Sequence, residues 1–293
     1  MTIGTIFVAL SGGSAGQGAV DLACQLARRF DTHVEGFHVR ADPTQAALGY
    51  GLGAPVVGDL IERTAQEVAQ SAERAKQHFD KAVEENGLPL RTDPPAQPPG
   101  AAVAPGASAA WREETGFAGD LIPRRARLFG LVVLGRSDRV VDKPHTDVLE
   151  DTVLRCGRPV LLAPATAPQH LGEIIAVAWN GSAEAARAVA GAMPFLQQSK
   201  RTTVLTVGGS AGDADGAGLV QSLAWNGVSA ALKDLAPVSG VSVGARLLSA
   251  ARDEGADLLV MGGYGKAPWR EMLLGGATRH VVATSLLPIL ICH

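Results

Sequence analysis

The sequence predicts an α/β protein with two doubly wound, Rossmann-like parallel-sheet domains in tandem, each with five strands. Two observations lead to this prediction. Short apolar runs alternate with segments of helical periodicity, which is the pattern of βαβ units joined by right-handed connections. The same order of runs occurs twice in the 293 residues, once in each half. Self-similarity on this scale indicates a duplicated domain rather than a short solenoid repeat.

The first half begins with an apolar run at residues 5–10, which predicts a strand. A glycine-rich turn follows, and apolar residues then recur at helical spacing through residues 20–30. Further along, the pattern predicts a second strand at residues 32–39, a long helix at residues 57–86 and an edge-proximal strand at residues 111–115.

The segment between that helix and that strand is rich in Pro and Ala. Residues 89–110 contain the pairs Pro94-Pro95 and Pro98-Pro99, so we expect an exposed, partly extended loop. The corresponding region of the second half, residues 208–227, is shorter and rich in Gly, Ala and Asp. It predicts a plain surface loop, with a mobile segment over a ligand site as the alternative.

The second half repeats the plan of the first. Its strand, turn, helix and second strand are predicted at residues 174–179, 180–182, 183–198 and 202–207. The last two strands of the halves also correspond, residues 131–135 with 258–262 and residues 158–162 with 287–291. The halves join near residues 164–170, so the predicted domains are residues 1–165 and 170–293.

Composition excludes several classes of protein. A net charge of −3 and a pI near 6.2 give no general attraction to nucleic acid or anionic membranes. No apolar run approaches the roughly 20 residues that a membrane-spanning helix needs. The three cysteines are odd in number and far apart, which favours reduced thiols in the cytosol. We therefore expect a cytoplasmic protein with no nucleic-acid or membrane partner.

The most informative segment follows the apolar run at residues 258–261. A glycine turn extends from Gly262 to Gly265, and after nine residues Gly275-Gly276-Ala277-Thr278 opens a helix-like segment. Glycines leave backbone N–H groups uncovered, and a helix N-terminus adds unpaired N–H groups and a partial positive charge. This combination predicts a phosphate site, and hence a nucleotide ligand.

The motif of Gly262-x-x-Gly265, nine residues, then Gly275 and a small residue resembles the nucleotide-binding signature of the universal stress protein family. The resemblance covers the whole chain as a tandem pair of such domains. The turn Asn180-Gly181-Ser182 and the final strand that follows Pro288 support it. It implies an ATP-binding stress-response or signalling protein.

The resemblance also implies roles for individual residues. Asn180 would contact adenine or ribose, Val207 would pack on adenine, and Met261 would line the pocket. The residues expected around ribose and phosphates are Gly262, Gly265, Gly275, Gly276, Ala277 and Thr278. The expected ligand is ATP, with ADP or AMP as alternatives, and Mg²⁺ or Mn²⁺ would bridge the phosphates with no metal ligand from the protein.

The sequence departs from the family pattern at two positions. Asn180 stands where many ATP binders have Asp, and Gly276 stands where the motif commonly has Ser or Thr. The missing hydroxyl at residue 276 removes a hydrogen bond worth about 0.5–1.5 kcal/mol. We expect this loss to weaken nucleotide binding rather than abolish it.

The nucleotide motif of the first half is degenerate. Arg136-Ser137-Asp138 follows Gly135 without a second glycine, and residues 146–151 include acidic side chains where phosphate would sit. Ionised carboxylates repel a polyphosphate and cannot donate hydrogen bonds to it. We expect this half to bind no ATP by the family mode, and to be a structural partner or to hold a different ligand.

Catalysis is not predicted beyond a slow ATPase activity, because no general base or arginine finger is evident near the phosphate turn. An adenylyl-transferring or ATP-cleaving enzyme is one alternative, for which Lys266 and His280 are the candidate groups. A scaffold with a vestigial pocket is the other. Trp179 is expected in the core, and Arg124, Arg125 and Arg127 on a solvated helix face.

The resemblance also bears on assembly. Domains of the family pair through the final strand, so we expect residues 159–163 and 288–292 to pair within the chain, which would bury two edge strands. Whether two chains then form a homodimer stays open.

Overall fold

The structure is a computed structural model that describes residues 3–42, 54–94, 106–136, 143–208, 215–264 and 276–293. In these ranges the chain forms ten strands and eight helices, in the alternating order that the sequence predicts. The α/β class is confirmed, and each half of the sequence contributes five strands. None of the described helices combines the length and the apolar character needed to cross a bilayer.

The elements of the first half are β1 (Thr5–Leu10), α1 (Ser14–Arg29), β2 (His33–Arg40), α2 (Ala54–Glu85), β3 (Ser108–Thr115), α3 (Ala118–Ala126), β4 (Leu131–Gly135), α4 (Lys143–Arg155) and β5 (Val160–Ala163). Those of the second half are β6 (Ile174–Ala178), α5 (Ala183–Leu196), β7 (Arg201–Val207), α6 (Gly216–Trp225), β8 (Ala230–Leu235), α7 (Val243–Asp253), β9 (Leu258–Gly262), α8 (Gly276–Thr284) and β10 (Ile289–Cys292).

One compact unit consists of residues 2–156 and 163–167. Its strands lie in the order β3-β2-β1-β4, and all of them are parallel. The buried strand β1 contributes Phe7, whose ring lies 5.4 Å from the rings of Phe37 and of Phe129. These aromatic contacts form the centre of the core of this unit.

The other unit consists of residues 157–162 and 168–293. Its strands lie in the order β5-β10-β9-β6-β7-β8. All neighbours are parallel except β5 and β10, which run antiparallel with Ile289 opposite Leu162. The strands β9 and β10 are buried on both faces, as their continuous apolar runs predict.

Both units contain a point where the order of strands reverses. The strand β1 lies between β2 and β4, and β6 lies between β7 and β9. In doubly wound folds a crevice opens at such a point, outside the carboxyl ends of the strands. Ligands of doubly wound folds bind in this crevice.

The prediction of a loop at residues 208–227 is wrong for about half of that segment, because α6 spans Gly216–Trp225. The carboxylate of Asp215 accepts a hydrogen bond from the Gly218 N–H at 2.7 Å and caps the helix. Leu219 and Leu223 bury one face of it at helical spacing. Sequence reasoning missed this helix because, apart from Asp215, Leu219 and Leu223, the segment is rich in glycine and alanine.

The Pro-rich segment is described only at its two ends, and residues 95–105 of the expected loop lie outside the described residues. The side chain of Leu90 is 65% exposed, as expected for this loop. However, β3 begins at Ser108 rather than at Trp111, and Leu90 forms an isolated parallel bridge with Ala109. The strand is at the edge of its sheet, as predicted.

The expectation of a solvated arginine face on α3 is wrong for Arg125. Its guanidinium donates two hydrogen bonds to the carboxylate of Glu35 on β2, from Nε to Oε1 at 2.8 Å and from Nη2 to Oε2 at 2.7 Å. The bonded and nearby carboxylate raises the pKa of Arg125. The helix is thus tied to the sheet by a largely buried ion pair, which periodicity alone does not reveal.

Candidate functional site

A cavity of about 160 Å³ lies at the carboxyl ends of β6, β7 and β9 in the C-terminal half. It is lined by Ala178, Trp179, Asn180, Val207, Val243, Leu247, Met261, Gly262, Ala277 and Thr278. Six of the nine residues that the sequence singled out are in this set. Gly276 is the first residue of α8 next to it, and Gly265 and Gly275 lie outside the described residues.

The turn after β6 fixes the position of Asn180. The Oδ1 atom of Asn180 accepts a hydrogen bond from the Ser182 N–H at 3.1 Å, and Gly181 supplies a left-handed conformation with φ of 74°. Ser182 then caps α5, since its Oγ accepts from the Ala185 N–H at 3.2 Å. The side-chain donor of Asn180, Nδ2, is the atom that this turn leaves for a ligand.

Gly262 ends β9 at a place where no side chain fits. A Cβ atom there would lie 2.4 Å from the backbone nitrogen of Ala185, in the first turn of α5. The strand and the helix can therefore approach only because this residue is glycine. The glycine has a packing reason of its own, in addition to any part in holding a ligand.

Gly276 is in the opposite situation. It begins α8 in an exposed position, and a Cβ atom added to it would meet no atom within 4 Å. The adjacent Thr278 is buried, with 7% of its surface exposed. The first N–H groups of an α-helix have no partner within the helix, so this end of α8 offers donors and a partial positive charge beside the cavity.

Sequence reasoning missed the wall that α7 contributes. Val243 and Leu247, four residues apart on this helix, both line the cavity. The helix lies close to α8, because a Cβ on Gly244 would stand 2.7 Å from the Ala277 carbonyl oxygen. The available signal was the apolar spacing itself, following Ser242, whose Oγ caps the helix by accepting from the Ala245 N–H.

Trp179 was expected in the core, but it is only partly buried and lies in the cavity wall. Its backbone N–H extends the ladder by donating to the Leu205 carbonyl at 2.9 Å. Its indole Nε1 is buried and has no hydrogen-bond acceptor among the described residues.

Ionisable groups near the cavity are few in the described part of the chain. A hydrogen bond from its own backbone N–H, with further bonds from Ser182 and Arg187, lowers the pKa of Glu184 at the start of α5. His280 is half-buried on α8, and Lys266 lies outside the described residues. Across the described ranges, no group of three or more His, Cys, Asp or Glu residues is placed to hold a metal ion.

The N-terminal half has a larger cavity, of about 240 Å³, at the carboxyl ends of β1, β2 and β4. It is lined by Ala9, Leu10, Ser11, Ala15, Gly16, His38, Val39, Ala41, Val68, Ser71, Ala118, Ile122, Leu134, Gly135, Val148 and Leu149. Strand position makes Val39 the counterpart of Val207, and Gly135 the counterpart of Gly262.

The acidic segment of this half is arranged differently from the expectation. Residues 137–142 lie outside the described residues, and the side chain of Asp147 is not described either. Asp151 does not line the cavity; its carboxylate lies 3.8 Å from the Arg155 guanidinium, against α3. Apolar Val148 and Leu149 line the cavity instead. The described wall therefore disfavours phosphate binding because it is apolar.

Comparison with known proteins gives a match in the C-terminal segment. The sequence profile of the universal stress protein family matches residues 237–293, which include β9, α8 and β10. No protein with a curated description matches the sequence.

Solved structures resemble the whole chain in fold. A universal stress protein from Archaeoglobus fulgidus DSM 4304 superposes with a TM-score of 0.68 at 12% identity, over 98% of this chain and 97% of that one. A functionally unknown protein from Pseudomonas aeruginosa PAO1 gives 0.54 at 15% identity, over 99% and 92%. A candidate universal stress protein from Pseudomonas aeruginosa UCBPP-PA14 gives 0.53 at 15% identity, over 99% and 93%. Residues 237–293 thus match the universal stress protein family, and the whole chain has the tandem α/β fold of a solved universal stress protein.

Proposed function

We propose that this chain is an ATP-binding stress-response or signalling protein that holds the nucleotide in its C-terminal half, with slow or no hydrolysis. The observation that carries the proposal is the convergence of Asn180, Val207, Met261, Gly262, Ala277 and Thr278 on one cavity, at the switch point of the sheet and beside the N-terminus of α8. These residues are distant in sequence, and the fold brings them together.

In this proposal each wall of the cavity has a separate task. Val207 and Met261 offer apolar surface to adenine, and the amide of Asn180 offers a donor to adenine or ribose. The N-terminus of α8, with Gly276 and the hydroxyl of Thr278, offers donors to the phosphates. Mg²⁺ or Mn²⁺ would bridge phosphate oxygens, and ADP or AMP could occupy the same place.

The described groups favour binding over chemistry. Glu184 stays ionised near neutral pH because its pKa is lowered, and it is already bonded to Arg187. A general base works best with a pKa near the working pH and with its acceptor free. We therefore propose that ATP binding changes the conformation of the protein or its choice of partners.

We further propose that residues 1–165 and 170–293 act as two domains whose final strands pair with each other. The antiparallel register of β5 and β10, with Leu290 opposite Leu161, supports this pairing.

The experiment is a calorimetric titration of MgATP into the full chain and two matched variants. Val207→Trp places a large ring in the C-terminal cavity, and Val39→Trp does the same at the equivalent position of the N-terminal cavity. We expect at least tenfold weaker binding in Val207→Trp and unchanged binding in Val39→Trp, with circular dichroism to show that both fold. Equal effects of the two variants, or no binding by the unaltered chain, would refute the proposal.

A further inference from the structure

The cavity of the N-terminal half occupies the position of the proposed nucleotide site but has a different chemistry. Aliphatic side chains form most of its wall, among them Leu10, Val68, Ile122 and Leu149. Apart from the imidazole of His38, no ionisable side chain is present among the described lining residues. An anion held there would therefore meet no lysine or arginine side chain among the described lining residues, which disfavours it.

Two of the polar groups in the wall already have partners. The Ser71 hydroxyl on α2 donates to the Ser11 carbonyl oxygen at 2.7 Å. At the start of α1, the Gly16 N–H donates to the Gly13 carbonyl oxygen at 3.0 Å. Neither group is left to recognise a charged ligand.

His38 contributes a ring nitrogen, Nε2, that has no hydrogen-bond partner within the described part of the chain. The side chain is 3% exposed, and its Nδ1 lies 2.8 Å from the Leu10 carbonyl oxygen. Because a carbonyl oxygen only accepts, Nδ1 carries a proton, and Nε2 of the neutral ring is then an acceptor. The indole of Trp111 stacks on the ring at 6.3 Å with an interplanar angle of 10° and fixes its orientation.

The volume of the cavity sets the size of an occupant. An apolar cavity of about 150 Å³ in a protein stays dry and binds benzene. The N-terminal cavity, at about 240 Å³, has room for a somewhat larger molecule. A hydroxyl group on such a molecule can pair with Nε2 of His38, which would otherwise face an apolar surrounding.

We propose that the N-terminal cavity is a binding site for a neutral, mainly apolar molecule of one or two rings that carries a hydroxyl group, with the hydroxyl bonded to His38 Nε2.

The second half lacks this feature, so the site is specific to the first. Strand register places Thr206 on β7 at the position that His38 occupies on β2. The Thr206 hydroxyl donates to the Asp234 carboxylate at 2.8 Å and is therefore engaged outside the cavity. The two halves thus present different recognition groups from the same place in the fold.

The test uses the full chain and three matched probes, namely 2-naphthol, naphthalene and 2-naphthoate, titrated by fluorescence. We expect 2-naphthol to bind one per chain, naphthalene at least fivefold more weakly because it lacks the hydroxyl, and 2-naphthoate at least tenfold more weakly because it is an anion. Val39→Trp should weaken 2-naphthol binding at least tenfold, whereas Val207→Trp and saturating MgATP should leave it unchanged.

A second variant isolates the hydrogen bond. His38→Phe keeps a ring against Trp111 but removes the acceptor, so 2-naphthol should bind it no better than naphthalene does. The proposal is overturned if the unaltered chain binds no 2-naphthol, if Val39→Trp binds it equally well, or if 2-naphthoate binds more tightly. These three outcomes do not depend on whether His38→Phe folds.

Discussion

Among single residues, Gly276 is a position where the sequence departs from the universal stress protein motif and where the structure leaves room for a side chain. Because a Cβ added there meets no atom within 4 Å, serine can be introduced without displacing anything. Its hydroxyl would stand at the N-terminus of α8 and add one donor for a phosphate. We predict that Gly276→Ser tightens MgATP binding about two- to tenfold, the equivalent of about 0.5–1.5 kcal/mol.

The control for this change is Gly276→Ala, which adds the Cβ and the loss of backbone freedom without the hydroxyl. We expect calorimetry to give an affinity for Gly276→Ala close to that of the unaltered chain. Equal tightening by alanine and serine would mean that helix stiffness, rather than a missing donor, limits binding.

The ion pair of Arg125 and Glu35 leads to a second prediction, which concerns the free energy of unfolding. The side chains of Arg125 and Glu35 are 24% and 10% exposed, so removing the arginine leaves a largely buried carboxylate without its counter-charge. We predict that Arg125→Leu lowers the free energy of unfolding by about 3 kcal/mol, measured by urea denaturation.

Its neighbour Arg124 is the matched control, because its side chain is 67% exposed and lies 3.5 Å from Glu114. Arg124→Leu should change the free energy of unfolding by less than about 1 kcal/mol. The double variant Glu35→Leu with Arg125→Leu should recover much of the loss. Similar losses of unfolding free energy in Arg125→Leu and Arg124→Leu would show that the pair of Arg125 and Glu35 is not buried in solution.

At the scale of elements, Glu254 joins three of them. It follows α7, its carboxylate accepts from Lys233 Nζ on β8 at 2.6 Å, and it accepts from the Thr203 hydroxyl on β7 at 3.3 Å. The hydrogen bond from Lys233 is the main cause that lowers the pKa of Glu254 below its ordinary 4.5. The stability that this carboxylate contributes is therefore present above pH 4.5 and is lost as the pH falls through the lowered pKa.

We predict that Glu254→Gln lowers the free energy of unfolding by roughly 0.5–1 kcal/mol at pH 7, and that the difference disappears once the pH is below the lowered pKa of Glu254. Urea denaturation at pH 7 and below that pKa measures it. Glu85→Gln is the control, since that carboxylate is 59% exposed and lies 3.8 Å from Lys81. A Glu254→Gln deficit that persisted in acid would contradict the assignment.

Sequence reasoning found some of the helices and strands and missed others, for physical reasons. Eight strands were placed within about two residues, because the central ones are unbroken apolar runs that both faces of a sheet bury. The prediction for β3 began three residues late, and β8 was given no position, because most of its residues are exposed or half-buried and carry no continuous apolar run. The helix α6 was missed because its buried face consists of little more than Leu219 and Leu223, and its cap is a single aspartate. The partner of Arg125 was missed because Glu35 is 90 residues away in sequence.

The candidate site was predictable only where the chain carries a local signal. The family resemblance, based on the glycines and the strand ends, identified Asn180, Met261 and Gly262. Val243 and Leu247 were not identified, because an apolar pair on a helix looks the same whether it packs on a sheet or lines a cavity. Trp179 was misplaced for a similar reason, as an apolar neighbour of a buried strand.

At the scale of the whole molecule, the chain uses one plan twice and fills it with different chemistry. Both halves form a cavity at the carboxyl ends of their central strands, and both need a glycine at the end of the strand, Gly135 and Gly262, so that a helix can approach. The N-terminal cavity is the larger and presents His38, whereas the C-terminal one lies beside the start of α8. The two halves thus share the backbone of a site and differ in the side chains that line it.

The central claim is that the C-terminal half alone holds a nucleotide. The most direct measurement is the nucleotide content of freshly purified chain, released by denaturation and quantified by ion-exchange chromatography, for the unaltered protein, Val207→Trp and Val39→Trp. We expect about one ATP or ADP per chain in the unaltered protein and in Val39→Trp, and almost none in Val207→Trp. Two nucleotides per chain, a loss in Val39→Trp, or none in any form even after MgATP is added would contradict it.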